Sequence, residues 1–134
     1  MKKLEVLVEV LSIKLLWLPF ISAVPIAVLC PSKGISFLLF GLSIPLSIAL
    51  HEFLHVLPLP PDSFSLRKGA FIAIEVVGNV PTETLVVSAI LPGLVLGSIG
   101  FLLLSYDTLI ALPFLMHVLS VPFDILGMGG IRLE

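Results

Sequence analysis

Long apolar stretches constrain this 134-residue chain more than any other feature. Four can be drawn, at about 11–30, 35–57, 85–104 and 108–126. A helix that crosses a bilayer needs about 20 predominantly apolar residues, and each stretch comes close to that length. Between them lie short polar breaks, Pro31-Ser32-Lys33-Gly34 and Ser105-Tyr106-Asp107, and a longer one from Pro58 to about Thr84. Composition closes the argument. Apolar residues make up 58% and charged residues 12% of the chain, against roughly 45–50% and about 25% for a soluble domain. Too few polar side chains remain to cover a water-exposed surface, so lipid is the expected solvent.

The expected fold is an all-α membrane bundle in one domain, with about four spans. The first stretch contains Pro19, Pro25 and Lys14. Its lead-in places Leu4, Leu7, Val8 and Leu11 on one helical face, the pattern of an interfacial helix entering the bilayer. The fragment reads as retained in the mature protein, since no small-residue cleavage pattern follows the first apolar stretch. Within the long break, Phe71–Val77 alternates in strand fashion ahead of a turn-like Gly78-Asn79-Val80-Pro81. This predicts a β-hairpin between the second and third spans, Phe71–Val77 against about Thr84–Ala89, with Glu75 and Glu83 as solvated residues on it.

Charge sets the expected orientation. With the N-terminus inside, Lys2, Lys3, Lys14, Arg67, Lys68 and Arg132 face the cytoplasm and only Lys33 faces out. That split follows the positive-inside rule and predicts an integral protein of the cell membrane with both termini cytoplasmic. A net charge of −2 gives no ground for a nucleic-acid partner. The single cysteine, Cys30, excludes an internal disulfide and a CxxC metal knuckle; it reads as a small hydrophobe.

The chemistry lies inside the apolar stretches. All three histidines, His51, His55 and His117, fall there, as do Glu52 and Asp124. Each ionisable group costs about 2.5–3.5 kcal/mol to insert at a span's centre, so partners are expected. His51-Glu52-Phe53-Leu54-His55 is an HExxH sequence. Residues four apart share a helix face, so both imidazoles can ligate one zinc ion. Glu52 lies about a quarter turn away, where it can take a proton from water and return it to a leaving amine. A catalytic zinc site uses three protein ligands and one open position. Asp124 is the leading third ligand. The second and fourth spans run in the same direction, and both HExxH and Asp124 lie near their ends, so they meet at one depth. His117, two turns before Asp124 on nearly the same face, remains a rival ligand, a partner behind the ligands, or an oxyanion donor.

HEFLH in a span, with an intramembrane aspartate two spans later, resembles the site-2 protease class of intramembrane zinc metalloproteases. In that class the aspartate sits in an LDG or NPDG motif; Pro122-Phe123-Asp124-Ile125-Leu126-Gly127 departs from it. The chain is more similar to a family of small membrane proteins identified as zincin peptidases. Their HExxH near one end of a span is followed by Asn or His, then Ser, then Asp-Ile, and His117, Ser120, Asp124 and Ile125 keep that order. This resemblance covers the chain from the second span onward. It implies a Zn²⁺ cofactor, peptidase activity and a peptide or membrane-protein substrate. Two other readings use the same residues: a membrane metal-binding or transport protein, and a scaffold with a relic site. Glu52 separates the first of these from a hydrolase, because a transport site has no need of a carboxylate beside its ligand.

Overall fold

The computed structural model describes residues 2–68 and 72–130. The chain is mostly helical. Helix α1 (Lys3–Leu11) leads through a 3₁₀ turn (Lys14–Trp17) into α2 (Leu18–Leu29). A second 3₁₀ turn (Pro31–Lys33) precedes α3 (Gly34–Val56). Strands β1 (Phe64–Lys68) and β2 (Ile72–Val76) follow, then α4 (Thr82–Leu103) and α5 (Thr108–Gly130). Among the described residues, three helical stretches are long and apolar enough to cross a membrane, Pro31–Val56, Thr82–Leu103 and Thr108–Gly127.

The first expected span is not one helix. Lys3–Leu11 and Lys14–Leu29 meet at 64°, as a broken span or a re-entrant loop. The break is made at Ile13, whose backbone is extended (φ −72°, ψ 107°) between α1 and the 3₁₀ turn; Pro19 lies beyond it, at the start of α2, where a residue without an N–H is tolerated. The Trp17 indole N–H fixes the corner by donating to the Leu11 carbonyl at 2.8 Å, one of the acceptors left over at the end of α1. Val6 and Val10, one turn apart, are fully buried while Leu4 and Val8 stay exposed, so α1 is a surface helix with one packed face.

The hairpin also differs from expectation. The downstream arm is β2, but its partner is β1, in the antiparallel register Phe64↔Val76, Ser65↔Glu75, Leu66↔Ile74. Phe71 lies outside the described residues. Thr84–Ala89 forms the first turns of α4 instead. The reason is visible in what α4 buries: Leu85, Ser88, Ala89, Pro92, Gly93 and Leu96 recur at helical spacing. Gly78, with φ of 84°, does make a turn, but one that leads β2 into α4. Glu75 is paired with Arg67 at 3.2 Å, and Glu83 sits in the first turn of α4, where a carboxylate suits the helix dipole.

Two cores hold these elements. Val6, Val10, Ala49, Val56, Leu59, Phe64, Val80 and Leu85 bind α1 and the hairpin to the end of α3 and the start of α4. Leu54, Leu96 and Phe114 join α3, α4 and α5. Helices α4 and α5 are antiparallel and touch closely at three levels. A Cβ added at Gly93, Gly97 or Gly100 would meet Val121, Val118 or Leu115 at 2.1, 2.6 and 2.8 Å. Small residues at such contacts let membrane helices approach.

Candidate metal centre

His51 and His55 stand one turn apart near the end of α3, and Asp124 reaches them from α5. The two Nε2 atoms are 3.0 Å apart. Asp124 Oδ2 lies 3.7 Å from His51 Nε2, and Oδ1 lies 3.8 Å from His55 Nε2. A tetrahedral ion with bonds of about 2.0–2.1 Å sets its ligand atoms about 3.3–3.4 Å apart, and the observed separations bracket that value. Two imidazole nitrogens and a carboxylate oxygen also form a donor set that binds divalent transition metals. His51, His55 and Asp124 could therefore hold a metal ion, and their ligand atoms all lie within 4.8 Å of one another.

The surrounding groups orient these atoms. His55 Nδ1–H donates to the Ser88 carbonyl at 2.7 Å, so the Nε2 of the neutral ring carries a lone pair. The Ser88 hydroxyl donates in return to the His55 carbonyl. That carbonyl lies in the last turn of α3, and Leu59 N–H, four residues on, bonds Val56 instead. Ser88 thus caps α3 and holds its ligand at once, and it is fully buried. On α5, the Ser120 hydroxyl lies 2.9 Å from Asp124 Oδ2 and 2.8 Å from the His117 carbonyl, and can donate to either. The His117 ring stacks on His51, with centroids 4.5 Å apart and planes inclined by 26°. His51 Nδ1 is buried and has no hydrogen-bond partner among the described residues.

Glu52 follows His51 on α3, is half-buried, and lies within electrostatic reach of Asp124. Its position on the helix turns it aside from the two imidazoles. Ser88 stands six residues from the start of α4 at Thr82. At about 1.5 Å per residue that is a depth of about 9 Å below the hairpin end of the bundle.

The structure brings together the three residues expected to bind metal and sets His117 against one of them. Sequence reasoning missed Ser88. The signal for it is Pro92, four residues later in an otherwise unbroken apolar helix. No family model matches the chain, and neither a curated protein nor a solved structure matches it. Its chemistry is read from its own residues.

Proposed function

We propose that this protein is a zinc-dependent intramembrane metallopeptidase. One observation carries the reading: two histidines of an HExxH helix and an aspartate from a separate apolar helix converge within ligand distance, with a glutamate beside them. Zinc in such a site supplies a Lewis acid that activates water at neutral pH. His51, His55 and Asp124 hold it. Glu52 takes the proton of the attacking water on its carboxylate and delivers it to the amine nitrogen that leaves. His117, stacked on His51, is placed to donate a hydrogen bond to the oxyanion. The substrate is a peptide segment of a membrane protein, since the site lies inside the apolar bundle.

The bent Lys3–Leu29 segment serves as a fourth span, in which case both termini and the hairpin share one side of the membrane. Lys2, Lys3 and Arg67 lie on that side and Lys33 on the other, which favours a cytoplasmic hairpin in the cell membrane. Arg132 lies outside the described residues.

Glu52→Gln is the test. The amide keeps the size of the side chain but cannot take a proton. Zinc content should stay at one per chain, while cleavage of co-expressed single-span proteins should fall by at least about 10²-fold. Full activity in the variant would remove Glu52 from the mechanism. Wild-type protein that cleaves nothing and moves zinc across vesicle membranes would make this a metal carrier instead.

A further inference from the structure

Helix α4 contains Pro92 in its interior. In a regular helix the N–H of residue 92 donates to the carbonyl of residue 88. Proline has no N–H, so the Ser88 carbonyl has no such donor. In a bilayer a carbonyl released in this way must be satisfied by a neighbouring group. Here that group is His55 Nδ1–H, at 2.7 Å. Pro92 itself is fully buried, one residue before the close contact of Gly93 with α5.

We propose that Pro92 is a positioning residue for the metal centre: by leaving the Ser88 carbonyl to His55 Nδ1–H, it fixes that imidazole with its Nε2 lone pair facing His51 and Asp124. The inference rests on the reading of His55 as a ligand. Partners of this kind set the tautomer and ring orientation of a ligating histidine, and their loss typically lowers metal affinity by about 10–100-fold. The proline that weakens α4 as a helix thereby creates the acceptor that the ligand needs. The Ser88 hydroxyl bond to the His55 carbonyl adds a second tie between the same two residues, so the ring and its backbone are held by one point on α4.

The test uses full-length protein in detergent micelles, labelled with ¹⁵N-histidine. In the wild type without added metal, His55, assigned by its loss in His55→Ala, should show a protonated Nδ1 and an unprotonated Nε2. Pro92→Ala restores an amide donor to Ser88. It should mix the two tautomers of His55 and raise the Zn²⁺ dissociation constant, measured against a competing chelator, by 10–100-fold. The thermal midpoint without metal should stay level or rise, because α4 regains a hydrogen bond and a better helix former. A merely structural proline would lower midpoint and affinity together, and that result would overturn the proposal. So would an unprotonated Nδ1 in the wild type, a measurement that does not depend on any variant folding. Wild-type protein that binds no Zn²⁺ but shows the protonated Nδ1 would sink the metal-centre reading and leave the link between Pro92 and His55 standing.

Discussion

Gly93→Ala tests whether the α4–α5 contact sets the geometry of the site. The added Cβ would stand 2.1 Å from Val121 Cγ2 and 3.3 Å from the His117 carbonyl oxygen. Ordinary contact begins at 3.4 Å, so the valine methyl must retreat by 3.4 − 2.1 = 1.3 Å. A valine on a helix is nearly confined to one χ1 rotamer, so much of that movement falls on α5 itself. Overpacking of this kind costs about 1–3 kcal/mol. Alanine returns about 1 kcal/mol of helix propensity relative to glycine. The expected net effect is a loss of up to about 2 kcal/mol. Asp124 is three residues beyond Val121, so the displacement should also reach the metal centre and weaken zinc binding at least tenfold. Gly127→Ala is the control, because nothing lies within 4 Å of its added Cβ; it should leave stability level or slightly higher. Unfolding of both variants, followed by circular dichroism in one detergent, gives the comparison. If Gly93→Ala is as stable as Gly127→Ala and binds zinc as tightly as the wild type, the contact does not define the site.

Metal analysis separates the roles on α5: Asp124→Ala should strip zinc, whereas His117→Ala should lower occupancy less, since it removes a stacking partner and not a ligand. The reverse order would make His117 the third ligand. Asp107, in the loop before α5, accepts hydrogen bonds from the Ser36 side chain and from the Leu109 and Ile110 N–H groups, and with Lys33 nearby these hold its carboxyl below its usual value. Its contribution to stability is therefore present above the unfolded-state value near 3.8 and lost as pH falls through the lower folded value. Asp107→Asn should flatten the acid limb of a stability–pH curve and leave the neutral region less affected, and an unchanged acid limb would contradict that assignment.

Span length and the HExxH spacing were legible because both depend on local periodicity. The meeting of Asp124 with His51 and His55 was legible because two parallel spans place residues near their ends at one depth. The corner at Ser12–Ile13 was not, because apolar length alone does not show that Ile13 leaves the helix or that Trp17 folds back on Leu11. The hairpin was half legible. The alternation in Ile72–Val76 is plain, but Thr84–Ala89 offers it the β-branched Thr84, Val86 and Val87, whereas Phe64–Lys68 offers none. Burial of Phe64, Val80 and Leu85 in one cluster decides between them, and that is a tertiary fact. Pro92 reads as a kink in any sequence; only the position of His55 against Ser88 gives it a use.

The two histidines of the candidate centre are held unequally. His55 has its proton placed on Nδ1 by Ser88, and its Nε2 is ready for an ion. His51 has no such partner at Nδ1 among the described residues. The two Nε2 atoms, 3.0 Å apart, are in hydrogen-bond contact, and since His55 keeps its proton on Nδ1, His51 Nε2–H is the donor. Were His51 to ligate a metal through that atom, as proposed, its proton would sit on Nδ1, a buried donor that must find an acceptor or carry a penalty of about 1–3 kcal/mol. Stacking on His117 fixes the plane of the His51 ring but does not choose its tautomer. A metal ion bound as proposed would therefore meet one imidazole already set and one that must rearrange, with the Asp124 carboxylate, in reach of the Ser120 hydroxyl, across from both. The imidazole that would rearrange is the chain neighbour of Glu52, the carboxylate that the proposed hydrolysis would use as its base.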